Sequence, residues 1–296
     1  MNRRKFIKTG VAGLAGITVA GGISAAVHLP GEPGIDKVKL GNSGLTVSRL
    51  AMGTGSVGGN KASNQTRLGM DKFVELARHA YDCGIRFYDT ADSYGSVPYI
   101  GEAIQSLPRE NITWLTKIWT SPDGSPNLQP VGNILDRLRK EGQTEYFDVV
   151  LLHCMMQAGW SNDRKHYIEG LSRAKEDGIV KAVGVSCHSY DALVEAAESP
   201  WVDVIMARIN PFQSKMDGTP ESINDVLGLA RRNGKGIIAM KVFGEGLNVK
   251  DDEREQSFRY LITEANVHCM TLGLENMLQM DDAVEKVKRI VQTARK

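Results

Sequence analysis

Four residues of this sequence have the types needed to move a proton beside a small polar substrate: Asp89, Tyr94, Lys117 and His153. Asp89 ends the mostly apolar run Ile85-Arg86-Phe87-Tyr88, and Tyr94 follows it within Gly84-Ile85-Arg86-Phe87-Tyr88-Asp89-Thr90-Ala91-Asp92-Ser93-Tyr94-Gly95. A phenol titrates near pH 10, so it exchanges a proton near neutrality only with positive charge beside it. Lys117 ends Leu115-Thr116-Lys117 and His153 ends Leu151-Leu152-His153. A lysine and a histidine closing buried strands make poor core residues. Singly, each has a bland explanation: a snorkelling lysine, a hydrogen-bonded core histidine, and loop chemistry for Asp92 and Ser93. As a set at the ends of consecutive strands they read as an acid–base group that includes the positive charge a phenol needs.

Strands must deliver these residues, and the chain alternates accordingly. A small hairpin is predicted over residues 38–47 around Asn42-Ser43-Gly44. Strands are then predicted over 48–52, 85–88, 112–116, 147–152, 182–185, 202–206, 236–240 and 268–272. Helices are predicted between and after them, over 71–82, 97–106, 131–140, 164–177, 191–198, 222–232, 253–264 and 281–294. Eight strand–helix units in roughly 250 residues are the size and rhythm of an α/β fold of the (β/α)8 TIM-barrel type, here over residues 37–296 with a short N-terminal β-hairpin. A doubly wound open sheet is the rival, weakened because no G-x-G-x-x-G follows the first strand. Barrel active sites gather at the carboxyl ends of the strands, where the four residues fall.

From about Val38 to its C-terminus the sequence resembles the aldo-keto reductases. The carrying motifs are the Gly84–Gly95 stretch, Thr116-Lys117, Leu152-His153 and Gly184-Val185-Ser186. The first is specific, and the others are correctly ordered. The resemblance implies a nicotinamide-dependent oxidoreductase acting on a carbonyl or alcohol, with a sugar among the candidates. It implies Tyr94 as general acid in reduction, Lys117 lowering its pKa, Asp89 holding Lys117, and His153 orienting the substrate carbonyl. Donors from Tyr94 and His153 would stabilise the developing alkoxide, and hydride transfer belongs to the cofactor.

The implied cofactor pocket comprises Gly53, Thr54, Ser186, Cys187, Met206, Met240, Lys241, Phe243, Gly273, Glu275 and Asn276. It departs from the family pattern in several places. Cys187 stands where an Asn is usual, Met206 where a Gln is usual (with Asn210 retained), and Met240 where an aromatic residue stacks on the nicotinamide. A thioether can still pack on a ring face. The run Thr271-Leu272-Gly273-Leu274-Glu275-Asn276-Met277 has no base for a 2′-phosphate, and Arg289 lies far along the last helix. Glu275 suits ribose hydroxyls, or equally a helix start. The cofactor is therefore NADP or NAD, with tight binding among the expectations. Two rival functions stay open: proton chemistry by the same four residues without nicotinamide, and a non-catalytic ligand-binding barrel.

The N-terminus reads as a targeting segment. Asn2-Arg3-Arg4-Lys5-Phe6-Ile7-Lys8, an apolar Gly/Ala-rich run and Ser24-Ala25-Ala26 occur in the order of an export signal of the twin-arginine type over residues 1–26, followed by a linker over 27–36. The twin-arginine translocation machinery is thus an expected partner, the periplasm or another exported location the expected site, and membrane attachment follows only if the signal stays uncleaved. Free nicotinamide is not expected there, so the cofactor would be carried bound and recycled in place. The net charge of +1 becomes −3 when the four basic residues of the signal are removed, and neither value suggests a nucleic-acid partner. Composition, at 42% hydrophobic and 24% charged, is that of a folded globular chain. Cys83, Cys154, Cys187 and Cys269 show no metal spacing and read as small core residues; no metal is expected, and Cys154 with Cys187 is the pair worth testing for a disulfide. The mouth would be framed by loops 60–70, 119–129 and 155–162, where Trp119, Met155 and Trp160 are candidates to face a ligand or simply to pack.

Overall fold

The computed structural model describes residues 35–120 and 129–295. The segment expected as a signal, most of the linker and most of the mouth loop 119–129 lie outside the described residues.

Two short antiparallel strands come first, β1 (Lys37–Lys39) and β2 (Thr46–Ser48), with Lys37 opposite Ser48. Their turn is tied by the Ser43 hydroxyl, which donates to the Leu40 carbonyl at 2.6 Å. Leu40 and Val47 are buried in one cluster with the inward residues of the barrel strands, so the hairpin plugs one end of the barrel.

The chain then alternates through β3 (Leu50–Gly53), α1 (Met70–Asp82), β4 (Phe87–Asp89), α2 (Val97–Ile104), β5 (Thr113–Trp119), α3 (Val131–Gly142) and β6 (Phe147–Met155). A short α4 (Trp160–Asp163) precedes α5 (Lys165–Glu176), β7 (Val180–Cys187), α6 (Tyr190–Glu198), β8 (Val204–Arg208) and α7 (Pro220–Arg232). β9 (Gly236–Met240), α8 (Asp251–Thr263), β10 (Cys269–Leu272) and α9 (Met277–Ala294) complete it. Strands β3 to β10 pair in parallel in chain order, and β10 returns to β3 to close the barrel. The expected (β/α)8 architecture is the observed one.

Several boundaries differ from expectation for local reasons. β5 and β6 run on to Trp119 and Met155 because Trp119 pairs with His153, a partnership that composition does not reveal. β4 starts at Phe87, and β8 covers Val204–Arg208 rather than 202–206. The last helix starts at Met277 because the Asn276 side chain accepts the Gln279 N–H at 3.0 Å and caps it.

Period-two alternation explains what each strand delivers. Ala51, Phe87, Leu115, Leu151 and Cys269 belong to the cluster that fills the barrel. Two residues further along the same inner face come Gly53, Asp89, Lys117, His153 and Thr271. The intervening Met52, Tyr88, Leu152 and Val185 join the larger cluster between strands and helices.

β7 and β8 approach closely at Gly184, where an added Cβ would run into the backbone carbonyl of Val204. Backbone cannot move aside as a side-chain end can, so Gly184→Ala should destabilise the barrel by about 1–3 kcal/mol. Urea denaturation should show this as a lower midpoint at an unchanged slope. A midpoint equal to that of the parent would show that the two strands tolerate separation.

Candidate active site

At the carboxyl end of the barrel Lys117 Nζ pairs with Asp89 Oδ1 and donates to the Thr90 carbonyl at 2.9 Å. Asp89 receives a further hydrogen bond from Thr271 Oγ1 at 3.0 Å. The two charged side chains are 1% and 7% exposed, so the ion pair lies in a low-dielectric setting, with Thr90 and Thr271 as further partners. Lys117 Nζ also lies 4.9 Å from the centroid of the Tyr94 ring.

The Tyr94 hydroxyl is 3.3 Å from His153 Nε2, and His153 Nδ1 is 3.3 Å from Ser93 Oγ. Trp119 meets the His153 ring edge-on at 5.4 Å and is 39% exposed. The phenol is held by packing on its other side: a Cβ on Gly55 or Gly58 would run into the Tyr94 ring, so the loop after β3 lies flat against it. The same loop is tied to the Tyr94 turn. The Lys61 N–H donates to the Ser93 carbonyl at 2.8 Å, and Asp92 pairs with both Lys61 and Arg137. Burial works against the Asp92 carboxylate, but hydrogen bonds from Arg137 and Lys61 prevail and hold its pKa below the ordinary value.

Burial first, then Asp89 and Cys154, push the Tyr94 phenol well above its ordinary range. Asp89 takes up the Lys117 charge, and burial penalises the phenolate. His153 is pushed well below its ordinary value by burial, then by Lys117, His188 and Lys241, so its imidazole is neutral.

The sequence model of the Aldo/keto reductase family matches residues 49–294. The chain belongs to that family. It is an oxidoreductase of the NAD(P)-linked kind. It is 25% identical over 269 residues to the NADH-specific methylglyoxal reductase of Escherichia coli K12, covering 84% of this chain and 79% of that one. It is 26% identical over 248 residues to a D-threo-aldose 1-dehydrogenase of a Pseudomonas species, with 74% and 73% covered. The fold matches the holo form of an aldo-keto reductase from Bacillus halodurans with a TM-score of 0.66 at 17% identity, over 88% of this chain and 96% of that one.

Within this aldo-keto reductase barrel the residues expected at the cofactor pocket divide. Ser186 lies on the inner face of β7, and its Oγ accepts the Cys154 N–H at 2.9 Å, leaving its own O–H free to donate. Met206 and Met240 belong to the cluster filling the barrel, Met240 uppermost at 8% exposure. Gly53 ends β3 beside Thr271. Lys241 pairs with Glu245 at 2.5 Å. Gly273 packs on Ser56, and Glu275 accepts from Asn64 at 2.8 Å.

Four others are used by the protein itself. Thr54 donates to the Asp89 carbonyl at 2.8 Å and bonds Ser96 at 2.7 Å. Cys187, one residue beyond Ser186, faces the helix layer, with Sγ 3.7 Å from the Ala192 carbonyl. Phe243 meets Phe258 edge-on at 5.3 Å, and Asn276 caps α9. Cys154 and Cys187 are both free, the first with Sγ 3.5 Å from His188 Nε2. Of the mouth candidates, Trp119 stands beside His153, whereas Met155 and Trp160 are buried. The Trp160 indole donates to the Ala192 carbonyl at 3.2 Å.

Ser93 and Thr271 join the four as partners that no motif in the sequence marks. Their one sequence signal is position: Ser93 adjoins Tyr94, and Thr271 lies two residues past an inward Cys269.

His188, beside Cys154, is pushed down to about 4 by burial and then by Arg208, Lys241 and Lys117. An unfolded histidine takes up its proton near pH 6.5, so between about 6.5 and 4 the unfolded chain binds more protons than the folded one. Stability is complete above that window and is lost as pH falls through it. Thermal midpoints should drop across the window, and less steeply for His188→Asn. Equal slopes would remove His188 from this account.

Proposed function

We propose that this enzyme reduces a small aldehyde or ketone with NADH held in its barrel, and that Tyr94 supplies the proton. The observation that carries the reading is the convergence of a protonated phenol and a neutral imidazole 3.3 Å apart over the Lys117–Asp89 pair.

The donor set suits a dinucleotide. Met240 offers an apolar floor, Ser186 a free O–H, and the end of β8 with the loops after β8 and β9 carries Arg208, Lys215 and Lys241 against Asp217 and Glu245. That surplus of positive charge fits a pyrophosphate. Glu275, the absence of a base in residues 271–277, and the commitment of Arg289 to Glu255 at 3.1 and 2.6 Å favour NAD over NADP. A bound nicotinamide supplies the hydride.

The rest is done by this chain's own side chains. The substrate carbonyl oxygen accepts from Tyr94 Oη–H and from His153 Nε2–H. Ser93 donates to His153 Nδ1 and so holds the tautomer that leaves Nε2–H pointing at the substrate. As charge develops on the oxygen, Tyr94 gives up its proton and Lys117 stabilises the phenolate that remains. Asp89 and the Thr90 carbonyl keep Lys117 in place. Trp119 walls the mouth beside His153. Small dicarbonyls and aldoses, named for the two curated relatives, fit such a site.

We further infer that the chain is exported by the twin-arginine route, on the strength of Arg3-Arg4-Lys5-Phe6-Ile7-Lys8 and the apolar run behind it. That route carries folded proteins, so the cofactor would travel already seated.

Mature protein recovered from its exported location should release stoichiometric NAD(H) on denaturation, and should reduce methylglyoxal. Tyr94→Phe should keep the dinucleotide and lose turnover by about 10²–10⁴-fold. A protein that holds no nicotinamide, and takes up neither form when offered, would overturn the proposal in favour of proton chemistry or simple binding.

A further inference from the structure

We propose that His79, Cys83 and Asp281 form a binding site for one zinc-like divalent cation at the seam between α1 and α9. Asp281 Oδ1 lies 2.7 Å from His79 Nε2 and 3.6 Å from Cys83 Sγ, and those two atoms lie 3.5 Å apart. All three potential ligand atoms are therefore within reach of one ion, and they meet at a single carboxylate oxygen.

The geometry is near that of a metal site. Zinc bond lengths of about 2.3 Å to sulfur and 2.0–2.2 Å to nitrogen and oxygen give tetrahedral edges of roughly 3.3–3.6 Å. Both edges to sulfur already match. The His79–Asp281 edge must open by roughly 0.6 Å, which a rotation of the Asp281 side chain, 30% exposed, can supply. Without an ion, the imidazole N–H and the thiol S–H both converge on Asp281 Oδ1. On binding, the thiol proton leaves, the imidazole proton moves to Nδ1, and the cation takes the place of both shared hydrogens. A thiolate, a carboxylate and a neutral imidazole cancel a 2+ charge, which suits a half-buried site.

The spacing and the approach point the same way. His79 and Cys83 stand four residues apart at the end of α1, so both face α9. Cys83 is 4% exposed, and His79 lines a groove of about 620 Å³ between α1, α2 and α9. That groove carries Asp71, Glu75, Asp82 and Glu102 against Arg78, whose Nε is committed to the Ala103 carbonyl. The groove is thus net negative, with Lys288 the cation that also reaches Cys83, and His79, 24% exposed, leaves a side open for a water as fourth ligand. One nitrogen, one sulfur and one oxygen donor favour zinc or its neighbours over calcium or magnesium. The site lies outside the barrel mouth and does not depend on the reaction proposed there.

Chelator-treated full-length protein titrated with Co²⁺ provides the test. One equivalent should bind with a thiolate-to-metal charge-transfer absorption, Zn²⁺ should displace it, and Zn²⁺ should raise the thermal midpoint. His79→Gln and Cys83→Ala should each abolish the absorption and the thermal shift. His79 is partly exposed, so its variant decides the matter should Cys83→Ala fail to fold. Absence of the absorption in the parent would overturn the proposal. So would an absorption equally strong in His79→Gln, which would move the ion to Cys154 and His188 at the mouth.

Discussion

The arrangement at the mouth depends on one buried ion pair. Lys117 and Asp89 sit almost wholly out of water, and each would be costly there alone. Removing one partner of such a pair costs about 3–5 kcal/mol, because the other charge is left uncompensated. The pair is tolerated because the protein adds a hydrogen-bond partner to each member, the Thr90 carbonyl on one side and Thr271 on the other. Those four residues come from β4, the residue after it, β5 and β10, so the pair requires the barrel to be closed. An open sheet would leave β10 far from β4. Closure is thus a condition of the charge arrangement as well as of the fold.

This explains how much was legible in the sequence. A strand that runs apolar and then ends in Asp89, Lys117 or His153 announces an inner-face polar residue, because period-two alternation carries the same face from the packed interior to the open end. Eight such units, with helices between them, leave few architectures to choose from. Partners that arrive from distant chain segments were not legible. Thr271 meets Asp89 across 182 positions of sequence, and nothing in its neighbourhood marks it. Facing was legible only to one residue: Ser186 turns inward, and the next residue, Cys187, turns out to the helices. Trp160 illustrates a different limit. Tryptophan in a mouth loop suggests a ligand wall, but this one opens a short helix, is buried, and meets Trp201 at 6.3 Å with the rings tilted. Burial in the helix layer outweighed the role that its position in the chain suggested.

The loop after β3 adds a constraint that resides in glycine. Gly55 and Gly58 have no Cβ, and the Tyr94 ring occupies the space that a Cβ would take. Gly95, at φ +65, lets the chain turn beneath the Lys61 carbonyl in a conformation that glycine adopts without strain. Asp92 then joins that loop to α3 through Lys61 and Arg137. The phenol is therefore clamped between a glycine-lined strap and the ion pair, with little freedom to leave its position near His153. Orientation of this kind lowers a barrier because the ordering is complete before substrate arrives.

The electrostatics of the clamped phenol favour one direction of proton transfer. Burial and Asp89 hold Tyr94 protonated, and burial with Lys117 holds His153 neutral. Both groups therefore present hydrogen to an incoming oxygen, the state that a carbonyl needs as it gains negative charge. In the reverse direction an alcohol would have to surrender its proton to a phenolate that the same burial disfavours. Lys117 lies 4.9 Å from the ring centroid, but its ammonium is paired with Asp89. In this form the phenol and the imidazole are held as hydrogen donors, and the cation beside them is kept by its carboxylate partner.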